Sequence, residues 1–175
     1  MLMPEVNFFE TLGFEEQFNI NLDILSERFK ALQKEVHPDN FVNATEQEKQ
    51  LAEHYSATIN EAFIHLKEPL LRAIHLLAIR GVDIKAENTT EFSPDFLMAQ
   101  MEIREKLDEV KTESNPEKRV NEVLSEVEQA LNEGLKQLHS LLLPIQPEAL
   151  EPAAQKIREL LFYTSLKKKY LRIIS

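Results

Sequence analysis

The sequence predicts an all-α protein, a helical hairpin followed by a three-helix bundle. Apolar residues recur at spacings of three and four over several long segments, which is the period of a helix that buries one face. The 175 residues include three glycines, which leaves little material for β-turns or for a glycine-rich phosphate loop. Prolines mark where the segments begin or end, since proline fits the first helical turn but interrupts a helix interior.

The N-terminal part opens with a short helix followed by a longer one. The segment "NFFETLG" has apolar contacts at Phe8, Phe9 and Leu12. Gly13 is expected to stop this helix. The next helix covers "NLDILSERFKALQKEV", with Asn21 as its N-cap. The apolar residues that share one face of it are Leu22, Leu25, Phe29, Leu32 and Val36.

A second long helix, predicted over 44–66, completes the hairpin. The residues expected on its buried face are Leu51, Tyr55, Ile59, Ala62 and Leu66. Because a short loop joins the two helices, they should pack antiparallel. The loop contains "HPDN", so His37 and Asp39 are expected at the tip of the hairpin, facing water. A further helix, "LLRAIHLLAIRG", continues to Gly81 as its C-cap.

The C-terminal part is predicted to be a three-helix bundle. We place the hairpin and its connecting helix at 1–80, a polar and non-periodic linker at 81–93, and the bundle at 94–175. Ser93 and Asn115 each precede a proline, an arrangement typical of a helix N-terminus. The apolar stripe of the middle helix consists of Val120, Leu124, Val127, Leu131, Leu138 and Leu141.

The composition argues against several classes of function. The net charge is −10, and because phosphate backbones are bound by clustered Lys and Arg, nucleic acid is not an expected partner. With no cysteine, the chain offers no disulfide, thiolate nucleophile or Cys-based metal ligand. No apolar run reaches transmembrane length and the N-terminus lacks the layout of a signal peptide, so we expect a cytoplasmic protein with no membrane partner.

The tripeptide His37-Pro38-Asp39 allows three interpretations. A catalytic or metal site is weakly supported, because no nucleophile pattern is present and none of the five histidines lies three or four residues from another. A plain helix end is stronger: Pro38 stops the helix, His37 interacts with its negative end, and Asp39 caps a turn. The third interpretation is a docking point for another protein.

The helical context of the tripeptide resembles the J-domain of co-chaperones. In that family a His-Pro-Asp loop and the basic face of the preceding helix dock onto the ATPase and linker region of a 70-kDa heat-shock chaperone. The resemblance covers about residues 7–74. The chaperone-binding positions that it implies are His37, Pro38, Asp39, Arg28, Lys30 and Lys34. J-domains usually carry an aromatic residue before the signature and a Lys after it, where this chain has Val36 and Asn40.

The first bundle helix, "SPDFLMAQMEIREKLDEVK", carries apolar residues on two faces. The core stripe is Phe96, Ala99, Ile103, Leu107 and Val110. Leu97, Met98 and Met101 fall nearly opposite, and acidic residues surround them. An exposed Met-Leu patch with an acidic rim is typical of a protein-binding surface. The alternative is that both faces are buried, within the bundle or against the first part.

The last helix, predicted over roughly 153–173, is also two-sided. The residues of one side are Ile157, Leu160, Leu161 and Leu171, and those of the other are Phe162, Leu166, Tyr170 and Ile173. The sequence does not decide which side is core. Phe162 is the aromatic residue that we consider for the Met-Leu patch.

Nearly the whole chain resembles the HscB family, the J-domain co-chaperones of iron–sulfur cluster assembly. The resemblance rests on the J-like part, on the join "EPLLRAIHLLAIRG", and on "FLMAQMEIREKLDE" and "IRELLFYTSL". In that family the bundle binds the scaffold protein IscU and delivers it to the chaperone HscA. The scaffold-binding positions carried over by motif are Leu97, Met98, Met101, Glu102, Arg104, Glu105 and Phe162.

Three classes of function are open from the sequence. The favoured one is a bridging co-chaperone that stimulates the ATPase of an HscA-type chaperone and presents an IscU-type scaffold to it. The second is a helical adaptor whose His-Pro-Asp is accidental. An enzyme is the least favoured, because no nucleophile, metal cluster or cofactor loop is present; we therefore expect no catalytic residue, cofactor or metal.

Overall fold

A computed structural model describes residue 4 and residues 6–84, 92–110 and 116–174. Its helices confirm the all-α fold and are α1 Phe8–Thr11, α2 Leu22–Glu35, α3 Glu46–Lys67, α4 Pro69–Ile79, α5 Pro94–Glu109, α6 Pro116–Leu142 and α7 Leu150–Ile174. The 3-10 turn Pro38–Phe41 follows α2, and the 3-10 turn Pro147–Ala149 precedes α7.

Proximity between residues divides the chain into two compact units. The first unit extends to Asp83 and includes Leu142–Ile145, and the second contains Ile84–Leu141 and the chain from Gln146 onward. The first unit therefore holds α1 to α4, and the second holds α5, most of α6, and α7. The domain limits derived from the sequence stay predictions, because most of the predicted linker, 85–91, lies outside the described residues.

Helices α2 and α3 form the antiparallel hairpin that the sequence predicts. The rings of Phe29 and Phe63 stack with their centres 4.2 Å apart. One turn further along α2, Gln33 Nε2 donates a hydrogen bond to Asn60 Oδ1 at 3.0 Å. Contacts therefore advance along α2 while they move back along α3, as in an antiparallel pair. Thr45 opens α3 with a capping box.

The buried stripe predicted for the second helix of the hairpin is wrong at its N-terminal end. Leu51 and Tyr55 are 68% and 45% exposed, whereas Ala52 is buried in their place. Residues four apart on a helix differ by about 40° around the axis. Tyr55 and Leu51 lie four and eight residues before Ile59, so each is rotated further from the buried face and toward solvent. Leu22, in the first turn of α2, is also 47% exposed. Because Phe29 of α2 lies opposite Phe63 of α3, the end of α3 at Lys67 lies opposite the second turn of α2 and does not cover Leu22.

A buried arginine on α4 holds the first unit together. Arg72 is 6% exposed. Its guanidinium donates hydrogen bonds to the carbonyl oxygens of Leu66 at 2.7 Å, Phe18 at 2.8 Å and Lys67 at 3.2 Å. Burial lowers the pKa of this guanidinium. The side chain thus joins α4 to the end of α3 and to the loop that precedes α2.

The second unit packs three helices around one core. The buried residues of this core are Phe96, Ile103 and Leu107 of α5, Val123 and Val127 of α6, and Tyr163 of α7. Within the predicted stripe of α6, Val120, Leu124 and Leu138 are buried as well, while Leu131 and Leu141 are half-buried.

The side of α7 that carries Ile157 and Leu160 faces the core. Ile157 and Leu160 are buried, together with two alanines of the first turns. Leu171, on the same predicted side, is 47% exposed, and the side chain of Ile173 lies outside the described residues. The helix begins three residues earlier than predicted. Pro152 therefore lies in its first turn, where a missing N–H costs no intrahelical hydrogen bond.

Candidate functional site

The His-Pro-Asp loop is exposed and has a defined geometry. His37 is extended, with φ −60° and ψ 136°, as expected of a residue before proline. Its Nδ1 accepts a hydrogen bond from the backbone N–H of Asp39 at 3.3 Å, so His37 rather than Asp39 caps the 3-10 turn. The side chains of His37 and Asp39 are 59% and 87% exposed, with Nδ1 and Oδ2 3.4 Å apart. The turn therefore leaves the Asp39 carboxylate accessible to a partner.

The three basic residues of α2 differ in what they contact. Arg28 Nη1 donates hydrogen bonds to two carbonyl oxygens just after α1, and its guanidinium lies 4.4 Å from the centre of the Phe14 ring. These contacts give Arg28 a structural role, because they hold the loop after α1 against α2. Lys30 and Lys34 are exposed on the outer face of the helix, on the side away from Leu25.

A depression beside the loop was not predicted from the sequence. It has a volume of about 350 Å³ and is lined by Val36, Pro38, Phe41, Val42, Lys49, Ala52 and Glu53. The available signal was the set of apolar residues on both sides of the tripeptide. The 3-10 turn brings them to one surface beside α3, a juxtaposition that helical periodicity does not reveal.

The Met-Leu patch, Leu97, Met98 and Met101, lies on the exposed face of α5. These side chains are 45%, 60% and 68% exposed. The charged residues exposed on the same helix include Glu102, Arg104 and Glu105. The bundle therefore buries one face of α5 and leaves the other in solvent, so the alternative of burial inside the bundle is wrong.

Phe162 of α7 contacts α5. It is half-buried, and its ring meets that of Phe96 edge-on, with centres 5.7 Å apart. The guanidinium of Arg104 lies 5.6 Å from the centre of the Phe162 ring, within the range of a cation–π interaction. The structure thus brings together two of the residues that the family resemblance had grouped, Arg104 and Phe162, although they come from different helices.

Among the described residues, no group of three or more His, Cys, Asp or Glu side chains could hold a metal ion. None of the helices in the described part of the chain is long and apolar enough to cross a membrane.

The His-Pro-Asp hairpin and the helical bundle define the class of protein, an all-α J-domain co-chaperone. The co-chaperone HscB homologue of Vibrio cholerae serotype O1 is 40% identical over 168 residues, which cover 96% of each chain. The homologue of Shewanella woodyi is 37% identical over 168 residues, 96% of this chain and 97% of that one. The chain belongs to the HscB family of co-chaperones, as the resemblance predicted.

Other comparisons agree with this assignment. A family model described as the HSCB C-terminal oligomerisation domain matches residues 92–170. The solved structure of chaperone HscB from Vibrio cholerae has a TM-score of 0.79 and 36% identity, over 96% of this chain and 97% of that one. The crystal structure of human co-chaperone protein HscB has a TM-score of 0.84 and 27% identity, over 98% of this chain and 84% of that one.

Proposed function

We propose that this chain stimulates the ATPase of an HscA-type 70-kDa chaperone and delivers an IscU-type scaffold to it during iron–sulfur cluster maturation. The observation that carries the proposal is that the two units expose two surfaces of different chemistry. The first is the polar His-Pro-Asp loop with the lysines of α2, and the second is the apolar Met-Leu patch with charged neighbours. Membership of the HscB family supports both assignments.

At the chaperone-binding surface, the loop would hold the Asp39 carboxylate in a fixed position for the chaperone to bind. The Asp39 side chain, 87% exposed, can accept a charge-assisted hydrogen bond from an Arg of the chaperone. Pro38 restricts the backbone, so less entropy is lost on docking. Lys30 and Lys34 would meet an acidic surface and contribute orientation and association rate more than affinity. If the loop binds the hydrolysis-competent chaperone more tightly, it shifts the chaperone toward that state.

The structure changes how Arg28 enters this proposal. Its guanidinium already bonds to the carbonyl oxygens after α1 and lies over Phe14, so it holds α2 in place relative to that loop. We therefore assign direct contact with the chaperone to the two lysines and an indirect contribution to Arg28.

At the scaffold end, the Met-Leu patch would supply the affinity. Flexible methionine side chains can adapt to a folded partner. The carboxylates of Glu102 and Glu105 would select basic groups on the scaffold and disfavour acidic ones. Phe162, held by Arg104, would add an aromatic contact from α7.

The test of the proposal is ATP hydrolysis by an HscA-type chaperone as this protein is titrated in, with and without an IscU-type scaffold. We expect stimulation that is greatest when the scaffold is present. Stimulation that the scaffold does not change would contradict the scaffold assignment alone. No stimulation under either condition would favour the helical adaptor, with an accidental His-Pro-Asp.

Replacing Leu97 and Met98 together with Ala is expected to weaken scaffold binding by about 30-fold, since each truncation removes apolar area worth roughly 1 kcal/mol. Both side chains are exposed, so the fold should not change. Titration calorimetry with the scaffold measures the loss. Leu51→Ala is the control, because Leu51 is also an exposed apolar residue but lies in the other unit. Equal affinities of the double variant and the wild type would exclude the patch as the binding surface.

A further inference from the structure

Asn40, the residue after the tripeptide, is bonded to the end of the preceding helix. Its side-chain Nδ2 donates hydrogen bonds to the carbonyl oxygens of Lys34 at 2.7 Å and Glu35 at 3.1 Å. Its backbone N–H donates to the carbonyl oxygen of His37 at 2.9 Å. Two hydrogen bonds thus run from Asn40 to the last turn of α2, and a third runs to the first residue of the loop.

These bonds satisfy groups that a helix end normally leaves to water. The last carbonyl oxygens of a helix lack intrahelical donors, and here Pro38 also has no N–H to offer. The side-chain Nδ2 of Asn40 donates to two successive carbonyl oxygens of the last turn of α2. These bonds join residue 40 to residues 34 and 35, so the segment that contains the tripeptide is fixed at both of its ends.

The other contacts within the loop are weaker restraints. The bond from the Asp39 N–H to His37 is 3.3 Å long and joins two residues of the loop itself, so it does not fix the loop relative to the helix. Pro38 fixes one backbone torsion. The backbone N–H of His37 also donates to the carbonyl oxygen of Lys34, but at 3.5 Å. The side chain of Asn40 supplies the shorter hydrogen bonds between the 3-10 turn and α2.

We infer that Asn40 is a positioning residue for the His-Pro-Asp loop, which holds the Asp39 carboxylate in its docking orientation before the chaperone arrives. This inference rests on the proposed stimulation of a 70-kDa chaperone. A loop that is already ordered loses less entropy on binding and therefore binds more tightly. The side-chain Nδ2 of Asn40 is hydrogen-bonded to the helix, so the residue acts through the loop and not by donating to the partner.

Two variants separate the hydrogen bonds from the charge. Asn40→Asp and Asn40→Leu both keep the approximate size of the side chain and remove its N–H donors, but only the first adds a charge. Asn43→Asp is the control, because it adds the same charge three residues away on an exposed side chain. The readouts are the concentration of this protein that half-maximally stimulates the chaperone ATPase, and the hydrogen exchange rate of the residue-40 amide in the free protein.

For both Asn40 variants we expect the half-maximal concentration to rise about fivefold and the amide exchange to accelerate by a similar factor, while saturating stimulation stays unchanged. Asn43→Asp should match the wild type in both measurements. A loss confined to Asn40→Asp would show a charge effect and overturn the inference. So would faster exchange with an unchanged half-maximal concentration, or a raised concentration with unchanged exchange. No stimulation by the wild type would instead overturn the proposed function, and the inference with it.

Discussion

Replacing Asp39 with Asn is expected to reduce stimulation of the chaperone ATPase by about 100-fold, because removing one member of a desolvated charge pair costs roughly 3 kcal/mol. Asn has nearly the shape of Asp, so the variant removes the charge and little else. The turn should persist, since the hydrogen bond that caps it is donated by the backbone N–H of Asp39 and remains in the variant. The contact of Asp39 Oδ2 with His37 Nδ1, at 3.4 Å, is an additional one between two exposed side chains. The measurement is the ATPase rate as a function of the concentration of this protein.

The control for this loss is Glu35→Gln. It removes the same charge from an exposed side chain four residues earlier, and its effect should stay within about twofold because exposed charges interact weakly through solvent. His37→Gln should lose stimulation together with Asp39→Asn if the tripeptide acts as a unit. Wild-type stimulation by Asp39→Asn, with an unchanged melting temperature, would rule out the carboxylate as the docking group.

The hairpin and the patch were predictable because each depends on local sequence. Pro38 must end the first helix, and the short loop after it leaves an antiparallel return as the simplest packing. The Met-Leu patch followed from helical geometry, since Leu97 and Met98 point away from the core stripe of α5. Both predictions extrapolate the helical period over only a few residues, so the error in the predicted direction of each side chain stays small.

The features that the sequence did not predict depend on tertiary register. Leu51 was predicted to be buried from its spacing to Ile59, but a helix drifts by about 40° in each four-residue step, and two steps carried it into solvent. The J-domain resemblance implies Arg28 as a chaperone-binding residue, and that assignment stays a prediction. The bonds of Arg28 to the carbonyl oxygens after α1 depend on where that loop packs, which periodicity does not encode. The pairing of Arg104 with Phe162 across two helices could not be derived from the spacing of either.

His75 is a second residue whose role depends on tertiary contacts. It lies in the apolar helix α4 and is 5% exposed. Its Nε2 accepts a hydrogen bond from the backbone N–H of Phe8 at 3.0 Å, and its ring stacks on that of Phe8 with the centres 4.4 Å apart. An acceptor nitrogen must be unprotonated, so this contact between α1 and α4 requires neutral His75.

Lowering the pH from 7 to 5 is expected to reduce the free energy of unfolding by about 2 kcal/mol through His75 alone, and by about 3 kcal/mol once the pH reaches 4. Burial lowers the pKa of His75 from 6.5 to about 4, and the charge of His65 adds a smaller decrease. The charge of Glu16 opposes both by raising the pKa. Between these two values the unfolded chain takes up a proton that the folded chain does not. Stability must therefore rise with pH across this window and become independent of His75 above it.

Urea unfolding at pH 7, 6 and 5 isolates this contribution when His75→Phe is compared with the wild type. The variant loses the acceptor for the Phe8 N–H and should be about 1–2 kcal/mol less stable at pH 7. Its stability should nevertheless fall less steeply toward pH 5, because its ring takes up no proton. His54→Gln, which changes an exposed histidine of α3, is the control for the substitution itself. Equal slopes for His75→Phe and the wild type would mean that His75 is as easily protonated in the folded protein as in the unfolded chain.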